Sequence, residues 1–426
     1  MSNGVYDVIV VGAGFSGLSA SYYLKQAGLH HIVFERHRIG DSWRSQRWDS
    51  FRLNSTNKLN VLPGTVCEKD EDAFDTSASL VISFNDYRRI HHLPVIEEAR
   101  VISVEKPGEL FYVTVSINGE QKFYSGKQVL IASGAMNQIK IPDLAEEIPA
   151  NIRQLHASQY RNSERLPEGA ILVVGSAQSG IQIAFDLIAS GREVYLSTSE
   201  VGRLPRWYRG RDIFYWLIDL KFFDITADSL NETNNVDLKP QQITGAGSGR
   251  DTISLQAFAK KGGKVLGKLA DVDDTKLFFE SNAKDHVRFA DKFSADIKAR
   301  IDEYIIKNNI DAPPPHFDQA DIPDENAECA NDERSIDIKE KNINTIIWAT
   351  GFHADYNYIK LPVFDKERKL IHDKGVTQIG GLHFLGYPWM LSKRSTILYG
   401  IAEDVKVIMQ NIFNYAEQKQ DEKNIV

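Results

Sequence analysis

The sequence predicts an α/β protein with two parallel-sheet domains, and three observations support that prediction. The β-branched run VIVV at 8–11 leads directly into a glycine-rich turn and a helical pattern. The same order recurs at 171–190, where ILVV precedes a second glycine turn and an amphipathic helix. A third apolar segment, NTIIWATGF at 344–352, has the pattern of a buried strand that ends in glycine. Continuous apolar strands that alternate with helices are typical of parallel sheets covered on both faces.

Length, charge and cysteine content exclude several classes of function. The 426 residues are enough for two or three domains with a large core. A formal net charge of −8 disfavours binding to the nucleic-acid backbone. No apolar run reaches the roughly 18 residues that span a bilayer, so we expect a cytoplasmic protein that does not contact membranes. Cys67 and Cys329 form no CxxC pair, which excludes a redox dithiol of that spacing and a zinc ribbon.

The first glycine turn, GAGFSG at 12–17, has the spacing of a dinucleotide site. The first glycine allows a tight turn, the second lets the backbone approach a pyrophosphate, and the third lets the helix pack on the strand. The helix start offers free N–H groups to the phosphates. An acidic residue 23 positions after the first glycine can bind the ribose hydroxyls. The candidate contacts are Gly12, Gly14, Phe15, Ser16, Gly17, Glu35 and Arg36.

The second glycine turn, GSAQSG at 175–180, keeps the outer glycines and has alanine in the middle. Ser197 follows at an offset of about 22 residues, where the first unit has an acid, so no carboxylate repels a 2′-phosphate. The run RLPRWYRGR then supplies arginines suited to phosphate contact, although Glu200 weighs against this and a plain basic loop is the alternative. The candidate contacts for NADPH are Gly175, Ser176, Gln178, Ser179, Gly180, Ser197 and Arg203.

Two dinucleotide sites in one chain are typical of an electron relay, so we expect FAD at the first site and NADPH at the second. QVLIASGAMN at 128–137 and IIWATGF at 346–352 suggest crossovers between domains, with Ala132, Gly134 and Gly351 as candidate contacts. The prediction is two Rossmann-like domains in a glutathione-reductase-like arrangement, with the NADPH domain inserted into a discontinuous FAD domain. The predicted boundaries are 1–160 and 336–426 for the FAD domain and 161–335 for the NADPH domain.

Two further residues are candidate contacts to the first nucleotide. Val101, in the strand RVISVE, is placed to pack on an adenine, with simple core packing as the alternative. Near the carboxyl end, STILYG predicts a strand that ends at Gly400, followed by a helix that opens at Ala402. Asp404 in that first turn is placed to face the flavin, and closure of the fold is the alternative.

These motifs together resemble the class B flavin-dependent monooxygenases, which include the flavin-containing monooxygenases and the YUCCA-type enzymes. The likeness covers nearly the whole chain and is strongest to the CzcO-like branch. It rests on GAGFSG, GDSWRSQRWDSFRLN (40–54), LHASQY (155–160), GSAQSG, RLPRWYRGRDIF (203–214), IIWATGF and the tail from GLHFLGYPW to GIAEDV.

The resemblance implies a reaction and a catalytic residue. NADPH would reduce FAD, the reduced flavin would capture O2 as a C4a-(hydro)peroxide, and one oxygen atom would pass to a small organic substrate. Asn54 matches the asparagine that the family carries beside the flavin, and a turn asparagine is the alternative. Trp43 and Arg44 resemble the aromatic and basic pair that flanks the flavin. His156 and Tyr160 match only the second half of the family fingerprint, and their role is left open.

Three questions remain open at this level: the reaction, the role of one aromatic stretch, and the substrate with the oligomeric state. An NADPH oxidase that releases hydrogen peroxide without oxygenating a substrate would carry the same motifs. The aromatic stretch at 214–223 could line a substrate tunnel, cover the site, dock a second subunit or pack between helices. The substrate and the oligomeric state, including a homo-oligomer, are not readable from the residues.

Overall fold

The computed structural model describes residues 4–226, 229, 241–242 and 252–425, and two large sheets, one mixed and one parallel, organise these residues. This arrangement confirms the predicted fold class. Each sheet is built around a fully buried apolar strand, Val8–Val11 in the first and Ala170–Val174 in the second. Burial on both faces explains why these strands are continuous apolar runs rather than alternating ones.

The first sheet has the strand order β3-β2-β1-β6-β5-β4, with β21 paired to β6. Strands β1, β2, β3 and β21 run parallel to their partners, while β4, β5 and β6 form an antiparallel meander. The strands are β1 (Val5–Val11), β2 (His31–Phe34), β3 (Val95–Ile96), β4 (Ala99–Glu105), β5 (Phe111–Ile117), β6 (Glu120–Ile131) and β21 (Leu382–Phe384).

The second sheet is entirely parallel and has the order β15-β10-β9-β19-β8. Its strands are β8 (Arg153–His156), β9 (Ala170–Val174), β10 (Val194–Ser197), β15 (Lys264–Leu266) and β19 (Ile343–Trp348). Strands β8 and β19 lie outside the range 161–335 predicted for the second domain, so that range is too narrow. The segment IIWATGF supplies a strand of the second sheet, and the chain returns to the first sheet only after it.

The remaining strands form small sheets. They are β7 (Gln138–Ile139), β11 (Gly202–Arg203), β12 (Trp207–Tyr208), β13 (Arg211–Asp212), β14 (Gln241–Gln242), β16 (Leu269–Asp273), β17 (Lys276–Phe279), β18 (Ser335–Asp337) and β20 (Phe352–His353). Strands β7 and β20 pair antiparallel and lie on the two crossings between the large sheets. The predicted crossovers therefore run side by side.

The helices cover the sheets and connect their strands. They are α1 (Phe15–Gln26), α2 (Asp41–Ser45), α3 (Ser77–Ile90), α4 (Gln178–Ala189), α5 (Ile213–Asp219), α6 (Leu255–Lys260), α7 (Ala283–Lys307) and α8 (Leu398–Ile425). Within the described residues, every helix is too short or too polar to cross a membrane.

The carboxyl-terminal helix corrects one prediction. STILYG does not form a strand, because a 3-10 turn at Lys393–Thr396 leads directly into α8. Gly400 lies inside the first turn of α8, where a Cβ atom would stand 2.1 Å from the carbonyl oxygen of Arg394. The glycine therefore allows the helix to pack on the preceding turn rather than separating a strand from a helix.

Candidate active site

The first glycine turn forms an open cradle at the start of α1. Gly12 has a φ of +104°, and a Cβ on it would lie 2.6 Å from the carbonyl oxygen of Ala132. A Cβ on Gly17 would lie 1.8 Å from the carbonyl oxygen of Gly12, so helix and turn are in direct backbone contact. Gly14 faces open space, and no side chain caps the N–H groups at the helix start. The cradle has room for a phosphate group exactly where the helix dipole favours an anion.

Glu35 closes the far side of this cradle. Its carboxylate accepts hydrogen bonds from the backbone N–H of Ala13 at 2.8 Å and of His37 at 3.0 Å. Burial raises its pKa, against the lowering effect of these two hydrogen bonds. Arg36 beside it is exposed. The acidic side chain thus stands one residue beyond β2, in contact with the turn that precedes α1.

The chain returns to the first cradle from two later segments. Ala132 follows β6, and its N–H donates to the carbonyl of Val11, while Gly134 has a φ of +74°. After β21, Gly386 approaches α1 so closely that a Cβ would lie 2.6 Å from Oγ of Ser16. Sequence reasoning missed Gly386, although its position after a strand and its neighbours LGYPW were visible.

The second cradle repeats the first in geometry. Gly175 has the same φ of +104°, and a Cβ on it would lie 2.6 Å from the carbonyl oxygen of Ala349. A Cβ on Gly180 would lie 1.8 Å from the carbonyl oxygen of Gly175. Ala177, at the cap of α4, makes no side-chain capping bond. The segment that contains Gly351 therefore lies beside the second cradle, as 132–134 lies beside the first.

Strand register identifies the counterpart of Glu35 in the second cradle. Gly12 donates to the carbonyl of Phe34, and Gly175 donates to the carbonyl of Ser197. The residue equivalent to Glu35 is therefore Thr198, and the assignment to Ser197 was off by one position. The Thr198 hydroxyl bonds the carbonyl of Leu266 and the ring of His286. Counting the same offset from both glycine turns would have found it.

Asn54 lies where the two domains meet, at the end of a segment that we call the junction loop (residues 43–54). Its side-chain oxygen accepts a hydrogen bond from Nε2 of Gln182, on α4, at 2.9 Å. Its backbone carbonyl accepts from Arg206 at 2.7 Å. Gln182 is almost fully buried, whereas Asn54 is half-buried. Both contacts come from the second domain, so they fix Asn54 between the two cradles.

The rest of the junction loop is held by the linker into the second sheet. Arg161 donates to the carbonyls of Ser45 and Arg47, and Ser50 donates to the carboxylate of Asp186 on α4. Tyr160 donates to the other oxygen of Asp186. Tyr160 thus has a defined structural role in joining the loop, the linker and α4.

His156 connects the two crossings between the domains. Its ring contacts the Ser158 hydroxyl at 2.9 Å on one side and the Gly351 carbonyl at 2.9 Å on the other. Burial lowers its pKa, so the neutral ring can donate to Gly351. Phe352 packs edge-on against the same ring. His156 therefore acts as a link between the linker and the returning chain.

Sequence comparisons agree with this geometry. The pyridine nucleotide-disulphide oxidoreductase family matches residues 9–213. An uncharacterized CzcO-like oxidoreductase of Geobacillus kaustophilus is 31% identical over 416 residues, which cover 96% of this chain and 99% of the relative. The chain belongs to the CzcO-like oxidoreductases. The family predicted from the motifs is thereby confirmed.

Solved structures share the fold of this CzcO-like chain at low identity. A flavin-containing monooxygenase from Stenotrophomonas maltophilia aligns with a TM-score of 0.66 at 18% identity, covering 97% of this chain and 99% of that one. OTEMO, solved in complex with FAD and NADP, aligns with a TM-score of 0.57 at 14% identity, covering 97% and 85%. The two-domain architecture is common to all three.

Arg203 does not have the position that its prediction requires. Its guanidinium is fully buried and pairs with Asp291 at 2.7 Å and with Asp321, while Ser294 accepts a further bond. Arg206 is likewise buried and pairs with Asp212. The assignment of Arg203 to a 2′-phosphate is therefore wrong for this CzcO-like chain, because two carboxylates already occupy the guanidinium.

Asp404 is also enclosed by protein. It has no exposed surface, and neither carboxylate oxygen has a hydrogen-bond partner within the described residues. Burial raises its pKa to about 6, against smaller lowering effects of the nearby Ser395 hydroxyl and Arg394. A nucleotide cannot reach this carboxylate in the observed conformation, so its assignment as a cofactor contact is wrong.

The other predicted residues divide by exposure. Val101 packs in the core of the first sheet, and Ser176 bonds the backbone of Ser199. Trp43 is partly buried, Gln178 is half-buried, and Arg44 and Ser179 are exposed. In the aromatic stretch, Phe214, Trp216, Phe222 and Phe223 pack with α7 in one core cluster. Helix packing accounts for these four rings.

Replacing Arg203 tests its structural role. Arg203→Met leaves Asp291 buried without a cation and leaves Asp321 with Lys298 alone, so the free energy of unfolding should fall by about 3–5 kcal/mol. Arg288→Met, on the exposed face of α7, is the matched control and should change little. Denaturant unfolding measures both. A selective loss of NADPH relative to NADH binding in a folded Arg203→Met variant would restore the phosphate role.

The raised pKa of Asp404 predicts that replacing this carboxylate by a neutral amide increases stability, and that the increase depends on pH. The unfolded carboxylate titrates near 3.8 and the folded one near 6, so stability is lost as pH rises through this window. Asp404→Asn should therefore raise the free energy of unfolding by about 3 kcal/mol at pH 8 and by less than about 1 kcal/mol at pH 4. Glu417→Gln, at an exposed position of the same helix, is the control. An equal effect of Asp404→Asn at both pH values would contradict the assignment.

Proposed function

We propose that this protein is an FAD-dependent monooxygenase that oxidises NADPH and transfers one oxygen atom of O2 to a small organic substrate. The observation that carries the proposal is the position of Asn54, which contacts α4 of the second domain from a loop of the first. Two proteins of the same fold support it, a flavin-containing monooxygenase and OTEMO in complex with FAD and NADP. The other oxygen atom would leave as water.

The first cradle fits FAD on its own features. The uncapped start of α1 and the open space at Gly14 suit a pyrophosphate, and Glu35 suits a ribose. NADPH is our proposed donor at the second cradle because Thr198, and not a carboxylate, stands at the position equivalent to Glu35. Bound FAD would supply the redox chemistry, accepting hydride from the nicotinamide and activating O2.

The chain's own contribution is to orient one amide group. The side-chain oxygen of Asn54 accepts a hydrogen bond from Gln182. The side-chain nitrogen, Nδ2, has no partner within the described residues. Asn54 therefore presents N–H groups, which are donors, to the space between the cradles. A fixed donor at such a place stabilises developing negative charge on oxygen and costs little reorganisation.

Rapid mixing tests the proposal directly. The purified yellow protein should be reduced by NADPH without oxygen and then mixed with oxygenated buffer. A transient absorbance in the near ultraviolet, distinct from both reduced and oxidised flavin, is expected before reoxidation. The experiment is repeated with a screen of amines, sulfides, ketones and 2-oxo acids. The oxidase alternative is favoured if the flavin returns immediately to the oxidised form with every substrate and releases stoichiometric hydrogen peroxide.

The role of Asn54 predicts a selective defect. Asn54→Ala removes one hydrogen bond to the reacting oxygen, so the lifetime of the transient should fall by about fivefold. The rate of anaerobic flavin reduction should stay close to wild type, because hydride transfer does not need this donor. Asn85→Ala, on the exposed face of α3, is the control. A normal transient in Asn54→Ala would remove Asn54 from the mechanism.

A further inference from the structure

Arg47 lies in the middle of the junction loop and, unlike several other arginines of the described chain, does not form an ion pair. Arg203, Arg206, Arg209 and Arg211 each pair with an aspartate. Arg47 has no acidic partner within the described residues. Its only hydrogen bond runs from Nη1 to the carbonyl of its neighbour Gln46, at 2.9 Å. Four of its five N–H donors are left without an acceptor.

Two aromatic rings hold the Arg47 guanidinium in place. Its central carbon lies 4.8 Å from the ring centroid of Trp43 and 5.3 Å from that of Phe51. Its backbone carbonyl is fixed by Arg161 at 3.1 Å. Burial lowers the pKa of the Arg47 guanidinium to about 10. The side chain is still partly exposed and can be reached.

A second donor without an acceptor lies in the same cluster. Nε1 of Trp48 is buried and has no partner within the described residues. The Trp48 ring packs edge-on against Phe51 at 5.0 Å, so Trp43, Arg47 and Trp48 all surround one ring. A buried N–H group is costly when it is unpaired, and the partly exposed Arg47 guanidinium keeps free donors. Both surround Phe51, in the loop that ends at Asn54, and together they point to a ligand that supplies acceptors.

We propose that Arg47 binds an oxyanion, a carboxylate or a phosphate group, at the junction of the two domains. A guanidinium offers paired donors whose geometry matches both groups. The source is either the carboxylate of an organic acid substrate or the phosphate of a bound dinucleotide. The inference builds on the proposed flavin site but does not need oxygen transfer to occur.

Calorimetric titration of the FAD-loaded protein tests the substrate source. Benzoate and its neutral match benzamide, and phenylpyruvate and its neutral match phenylacetone, are titrated into wild type and Arg47→Met. If the carboxylate is the ligand, wild type should bind each acid about tenfold more tightly than its neutral match, and Arg47→Met should lose that preference. Arg89→Met, on exposed α3, is the control and should behave as wild type.

The cofactor source is tested on the same proteins. If Arg47 holds a dinucleotide phosphate, Arg47→Met should raise the dissociation constant of FAD or of NADP+ by about tenfold while Arg47→Lys raises it less. This outcome also supports an oxyanion site. Unchanged affinity of Arg47→Met for both cofactors and for both acids would overturn the proposal.

Two further measurements keep the test decisive. If Arg47→Met does not fold, Arg47→Lys replaces it in both experiments. The proposal would then be overturned by two results together: Arg47→Lys binds all four ligands and both cofactors with wild-type affinity, and wild type shows no preference for the acids. Failure of the proposed function is read separately, from stoichiometric release of hydrogen peroxide in the rapid-mixing experiment or from the absence of flavin reduction by NADPH. The calorimetric readout of Arg47 is independent of turnover.

Discussion

The structure depends on one steric constraint that occurs twice, the backbone contact between a glycine turn and the helix that follows it. At Gly17 and at Gly180, a Cβ atom would stand only 1.8 Å from the carbonyl oxygen of the turn's first glycine. Helix and strand can approach so closely only without side chains. The start of each helix carries no side-chain cap, and a helix start of this kind is suited to an anion.

Two kinds of contact hold the two cradles against each other. One apolar core cluster contains residues of both domains, such as Val10 and Val173, and polar contacts set the orientation of the loop between them. The junction loop belongs to the first domain, yet its fixed points are Arg161, Asp186, Gln182 and Arg206 of the linker and second domain. His156 joins the two crossings in the same way. Such contacts fix directions as well as distances, as the proposed role of Asn54 requires.

Among the residues that the structure describes, some arginines form ion pairs with aspartates of the same chain, and Arg47 does not. Arg203 and Arg206, in the arginine-rich run after β10, form ion pairs with aspartates and stabilise the second domain. Arg47 is held by aromatic rings and lacks a counter-ion within the described residues. An arginine whose donors have no acceptor within the protein is free to bind an anion, so Arg47 is more informative for function than the paired arginines.

The sequence by itself determined the two cradles, because a glycine turn between a buried strand and a helix is a local pattern whose geometry needs only neighbouring residues. It also indicated Asn54 and the family. Tertiary structure decided the rest. Whether an arginine faces solvent or two distant aspartates, as at Arg203, depends on residues about 90 to 120 positions away. Sheet membership of β19 and the burial of Asp404 likewise follow from long-range packing, which local spacing does not encode.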